Sequence, residues 1–97
     1  MIVIKTNINR IDISYITKGS GNPIILLHGW GANKFTFNTL YNNLSERFLV
    51  YSIDLPGFGD TNIGLPFNLY EVADIIHEFC NRFNIDNPII IGHSYGG

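Results

Sequence analysis

Apolar and polar residues change their spacing several times along this chain, and each change predicts an element. Met1 to Lys5 reads as a short first strand. From Ile11 to Ile16 apolar and polar residues alternate with period two, which predicts an antiparallel strand with one wet face. Lys18 to Pro23 is a turn cluster, and Ile24-Ile25-Leu26-Leu27 is an unbroken apolar run, the pattern of a strand buried on both faces. A glycine-rich loop from His28 to Asn33 follows. Phe37, Leu40, Tyr41 and Leu44 then fall at helical spacing and predict a helix from about Phe37 to Arg47. Phe48 to Ile53 is the next strand, and Asp54 to Pro66 reads as a long loop.

The following helix carries its own start signal. Asn68 suits an N-cap, and Glu71 three residues later completes the pattern of a capping box. Leu69, Val72, Ala73, Ile76, Cys80 and Phe83 predict its buried stripe, and Asn84 and Asn87-Pro88 close it. Pro88 to Ile91 is the last strand. The order β-β-β-α-β-α-β predicts an α/β fold: a mostly parallel sheet with helices on both faces, entered through an antiparallel meander.

Composition narrows the function classes. A chain of 97 residues with 45% hydrophobic and 13% aromatic content builds a packed core rather than a disordered coil. Six basic and eight acidic residues are spread without a basic stripe or a block of like charge, so no nucleic-acid partner is expected. One cysteine, Cys80, allows no disulfide within the chain and suits a reducing compartment. The N-terminal segment lacks a signal-peptide pattern, and no apolar run is long enough to span a membrane. The expectation is a cytoplasmic protein without a membrane partner. No His, Cys, Asp and Glu cluster has metal-ligand spacing, and no glycine loop ends in the Lys-Ser/Thr of a phosphate cradle. Neither metal nor cofactor is therefore expected, and the oligomeric state stays open.

Candidate chemistry lies in three loops that follow the three strands expected to run parallel. Their carboxyl ends share one edge, where open α/β sheets hold ligands. In His28-Gly29-Trp30-Gly31 the glycines let the main chain bend so that the Trp30 amide faces inward. Ordinary strand-to-helix turns use glycine in the same way, so by itself this motif leaves both readings open. Asp54-Leu55-Pro56-Gly57-Phe58-Gly59-Asp60-Thr61 reads as a sharply bent turn without chemistry, with Asp54 fixing local backbone amides. The third loop is Gly92-His93-Ser94-Tyr95-Gly96, an apolar run feeding into Gly-x-Ser-x-Gly, the signature of a nucleophile elbow. Chance alone produces that pattern in roughly 3% of chains this long. Ser94 would sit on a strained turn with its hydroxyl pushed out, Gly92 and Gly96 making room, and a helix would start there. Amides of Trp30 and Tyr95 aimed at a carbonyl oxygen would stabilise the charge that acyl transfer builds. Loss of one such donor typically costs about 10²–10³ in rate.

In their order and spacing these three segments resemble the N-terminal part of an α/β-hydrolase, over nearly the whole chain. The resemblance implies Ser94 as nucleophile and the backbone amides of Trp30 and Tyr95 as the oxyanion hole, with His28, Gly29, Gly31, Gly92 and Gly96 shaping the loops. It also implies the chain order serine, acid, histidine, which puts the last two beyond Gly97. The pairing of His-Gly-Trp-Gly with Asp-Leu-Pro-Gly-Phe-Gly is similar as well to the pimeloyl-acyl-carrier-protein methyl ester esterases. Serine stands where the family's haloalkane dehalogenases and epoxide hydrolases have aspartate, which argues against those two chemistries.

The implied activity is hydrolysis of a small-molecule ester, thioester or related acyl substrate through an acyl-enzyme. The alternative is a non-catalytic small-molecule-binding protein of the same fold. Among the other candidates, His93 adjoins Ser94, but an elbow turns neighbouring side chains apart. His28 is read as bracing its loop, His77 as solvated on its helix, and Cys80 as packing. The Trp30 ring either lines an acyl pocket or packs under a lid. A single domain of this fold usually takes roughly 200–250 residues. Residues 1–97 are thus expected to be the N-terminal part of one domain, ending at the elbow, inactive alone, with its last strand an exposed apolar edge.

Overall fold

In the computed structural model residues 2–61 and 68–97 are described. Met1 of the expected first strand and the 62–66 part of the expected long loop lie outside them. One mixed sheet has the strand order β1-β2-β4-β3-β5, formed by β1 (Ile4–Ile8), β2 (Ile11–Lys18), β3 (Pro23–Leu27), β4 (Leu49–Ile53) and β5 (Ile89–Gly92). Helix α1 (Asn38–Leu44) precedes β4, and α2 (Leu69–Arg82) precedes β5. β1 pairs antiparallel with β2, and β2 with β4, while β3 runs parallel to both β4 and β5. The predicted meander and parallel layers are both present.

The first strand sits later than the sequence pattern suggested, at Ile4–Ile8 instead of Met1–Lys5. Its register is set by a two-residue turn. Asn9 and Arg10 both take positive φ, 50° and 69°, and Ile8 faces Ile11 across the hairpin. Such turns match the twist of paired strands, and Asn tolerates the left-handed conformation. The wet face expected of β2 is absent: Ile13, Ser14, Tyr15 and Ile16 are all buried. The 54–61 segment folds over this strand, with the Ser14 amide donating to Thr61 Oγ1 at 2.8 Å and the Asp54 amide to the Ser14 carbonyl at 2.9 Å.

Alternation along the central strands splits the core between two helices. Ile25, Leu27, Tyr51 and Ile53 pack with Val72, Ile75, Ile76 and Phe79 of α2, whereas Ile24, Leu26 and Val50 pack with Tyr41 of α1. Tyr15, Tyr51, Phe79 and Phe83 stack edge-on or tilted within the first cluster, Phe79 and Phe83 with centroids 4.9 Å apart.

Helix α1 is shorter than predicted and buries only Tyr41. Phe37 at its N-cap offers no side-chain hydrogen bond, so nothing fixes a longer start. Helix α2 has the predicted capping box, Asn68 Oδ1 accepting from the Glu71 amide at 2.8 Å. It closes in a Schellman motif with Asn84 at φ 52°, the Ile85 amide reaching the Cys80 carbonyl at 2.8 Å. Its buried face is Val72, Ile75, Ile76 and Phe79, rotated from the expected stripe. Leu69 is 62% exposed; together with Ala73, Ile76 and Cys80 it borders a groove of about 630 Å³ beside Ile90 and Gly96. Among the described residues no helix is long and apolar enough to cross a membrane.

Candidate active site

The site is built where β3 and β5 end side by side. The His93 amide donates to the Leu27 carbonyl at 3.1 Å, so the parallel ladder continues one step past Gly92. The chain then turns abruptly. Ser94 takes φ +55°, a left-handed conformation that L-residues avoid outside special sites. Its side is open to solvent. A single 3₁₀ turn, Ser94–Gly96, follows in place of the start of an α-helix, closed by the Gly96 amide on the His93 carbonyl and the Gly97 amide on the Ser94 carbonyl, both at 3.0 Å.

Close backbone approach explains the glycines. A methyl group on Gly96 would collide with the carbonyls of Leu27 and His28, and one on Gly92 with the Gly96 carbonyl. A methyl on Gly29 would lie 3.1 Å from the His93 carbonyl oxygen and 3.4 Å from Ser94 Cβ. The start of the first loop therefore rests directly against the elbow. Gly31, at φ +75°, lets that loop reverse, and the Ala32 amide reaches back to the Gly29 carbonyl at 3.1 Å.

The second loop supports the first. His28 is buried, and its Nε2 accepts the Leu55 amide at 2.9 Å. The ring proton thus belongs on Nδ1, which donates to the Gly29 carbonyl at 2.7 Å. With both nitrogens occupied His28 braces its loop. Phe58 sets its ring edge-on to both His28 and Trp30, with centroids 5.3 and 5.1 Å away. The Trp30 side chain is 76% exposed, so it stands at the rim above this edge. Asp54 fixes backbone amides as expected, accepting from Lys34 at 2.6 Å and from Asp60 at 2.8 Å.

Sequence reasoning missed Lys34. It is 1% exposed, and its ammonium lies 2.7 Å from Asp54 Oδ2 and 2.8 Å from Asp60 Oδ2. Burial alone would lower the pKa of this ammonium, but its hydrogen bonds and attraction to the two carboxylates outweigh that and raise it. The hydrogen bond and charge of Lys34 in turn hold the Asp60 carboxyl below the usual range, with Lys5 adding slightly. The one signal that bears on Lys34 is negative: lysine is almost never buried unless paired. Its partners stand 20 and 26 residues away, beyond any local pattern.

His77 is exposed on α2 at the groove, and His93 is exposed beside Ser94. Cys80 is half-buried, and burial pushes its thiol pKa up, away from a reactive thiolate.

A mixed sheet whose parallel strands β3 and β5 deliver a glycine loop and a left-handed serine turn to one edge defines an α/β-hydrolase fold. Residues 22–97 match the family described as alpha/beta hydrolase fold, and the chain belongs to it. It is 34% identical over 91 residues to a soluble epoxide hydrolase of a Corynebacterium species, covering 93% of this chain and 32% of that protein. It is 35% identical over 83 residues to the pimeloyl-[acyl-carrier protein] methyl ester esterase of Pseudoalteromonas atlantica, covering 84% of this chain and 31% of that one. The solved structure of epoxide hydrolase CorEH superposes with a TM-score of 0.93 at 31% identity, over 98% of this chain and 34% of that one. The chain thus spans about a third of the length of these relatives. Enzymes named as hydrolases surround it, and hydrolysis is the general chemistry they share.

Proposed function

We propose that these residues supply the nucleophile and oxyanion hole of a serine hydrolase acting on an ester, thioester or related acyl substrate. One observation carries the reading: an exposed serine at φ +55°, directly after a parallel strand, with Gly29 of the first loop packed against it. Ser94 Oγ adds to the acyl carbon, and a histidine outside residues 1–97 takes its proton. The amides of Trp30 and Tyr95 hold the developing oxyanion. Collapse expels the alcohol or thiol and leaves Ser94 acylated, and water then releases the acid.

The nature of the nucleophile favours an acyl substrate over an epoxide. A serine oxygen that opens an epoxide becomes an ether, which water does not cleave under mild conditions. The same oxygen on an acyl group becomes an ester, which water cleaves. The similarity to a pimeloyl-[acyl-carrier protein] methyl ester esterase supports the ester side of this choice, and the epoxide hydrolases share the scaffold.

A fluorophosphonate probe applied to the full-length protein is expected to label Ser94, with all labelling lost in Ser94→Ala. Labelling that survives that substitution, or turnover of epoxides without turnover of esters, rejects the proposal. An unlabelled protein that still binds acyl compounds would instead be a binding protein of this fold.

A further inference from the structure

The buried Lys34 has no part in the chemistry above, yet every polar group it owns is tied down. Its amide donates to Asp54 Oδ1 at 2.6 Å, its ammonium to Asp54 Oδ2 at 2.7 Å and to Asp60 Oδ2 at 2.8 Å, and its carbonyl accepts from Ser52 Oγ at 2.6 Å. All of these partners lie on β4 or the loop that follows it. Asp54 is itself fully buried and shares its second oxygen with the Asp60 amide. Gly59, at φ +52°, lets the second loop close over that carboxylate; a side chain there would strike it.

Lys34 stands four positions after Trp30, at the far end of the first loop. The near end is held at His28 by the Leu55 amide. Between these two anchors lie the loop's own Gly29–Ala32 turn, the Phe58 ring against Trp30, and the Asn33 amide on Thr36 Oγ1 at 3.2 Å. A surface ion pair would do little here, but a buried, multiply hydrogen-bonded one holds a single geometry.

We propose that Lys34 is a positioning residue: its Asp54–Asp60 clamp fixes the first loop so that the Trp30 amide faces the atoms above Ser94. This rests on the oxyanion role given to Trp30. Positioning matters steeply, because a misplacement of about 1 Å can cost about 10²-fold in rate.

The test uses the full-length protein and three variants. Lys34→Met with Asp54→Asn removes both buried charges and leaves a near-isosteric neutral pair. Asp60→Asn weakens the clamp from its exposed side, and Asp60→Glu keeps its charge. Fluorophosphonate labelling and ester kinetics read the site, and hydrogen exchange across residues 29–33 reads the loop. The double variant is expected to label about tenfold to 10²-fold more slowly with KM little changed, and Asp60→Asn several-fold more slowly. Asp60→Glu restores the rate. Exchange at 29–33 rises in the slow variants while β3 and β4 stay protected.

Folded variants that label at the wild-type rate, with unaltered exchange at 29–33, overturn the proposal. So does a rate loss that Asp60→Glu fails to recover. If the double variant does not fold, Asp60→Asn and Asp60→Glu decide it. Absence of labelling in the wild type defeats the serine-hydrolase reading instead, and the exchange comparison then still decides whether Lys34 holds the loop.

Discussion

Gly96 has no room for a methyl group against the carbonyls of Leu27 and His28. Gly96→Ala in the full-length protein is expected to cost about 1–3 kcal/mol, as overpacking does, and urea titration reads it. Lys34→Met alone is costlier, about 3–5 kcal/mol, because it strands the Asp54 carboxylate in the interior. The clamp also has a pH window. Asp60 titrates below its ordinary value, so its contribution is complete above the unfolded value and fades as pH falls below about 4. Lys34 titrates above its ordinary value, so its contribution is complete below about pH 10 and is lost as pH rises further. Trp30, the sole tryptophan, is expected to show steady emission between those limits and a change beyond each. The bend at Ser94 was legible from the sequence, since the residues that make it are neighbours in the chain, whereas the tight fit of Gly96 is set by Leu27 and His28, far away in sequence. Lys34 was not legible, because its meaning depends on two acids that only the folded loops bring to it.

Among the elements, α2 was the most legible and is the best isolated for test. Both its ends are written locally: the Asn68–Glu71 box and the Asn84 left-handed close. Asn68→Ala is expected to lower stability by about 1 kcal/mol, read as a shift in the urea midpoint without change in slope. The helix's rotation about its axis was less legible. Leu69, Ala73 and Cys80 satisfy a helical period as well as Ile75 and Phe79 do, and contact with Tyr15 and Tyr51 selects the latter face. β2 shows the same limit. Its alternation is real, but its other face is buried too, with Ile16 packed in the Tyr41 cluster and Ser14 fully buried. Periodicity reports which residues share a face and not what later covers it.

At the scale of the whole sheet, residues 1–97 taken alone carry an apolar edge at β5. β5 pairs only with β3 among the described residues, and Ile89 and Ile90 are 51% and 52% exposed, with the 630 Å³ groove alongside. Unpaired apolar edges recruit other chains. The 97 residues alone are expected to self-associate in light scattering and to melt without a sharp transition, and Ile89→Lys to reduce the scattering. A cooperative melt of a monomer would contradict this. The succession of elements along the chain and the parallel run of β3, β4 and β5 were legible because buried strands read as apolar runs, whereas the pairing of β2 with β4 in place of β3 was not. Within that frame, Ser94 is held in a backbone shape that glycine adopts at no cost. Trading it for glycine is expected to relax the bend by roughly 1 kcal/mol and, on the proposed serine chemistry, to abolish labelling. On the serine chemistry proposed above, durability and reactivity would pull against each other at one hydroxyl, and a hotter-melting Ser94→Gly protein that no longer takes the probe is the expected mark of that trade.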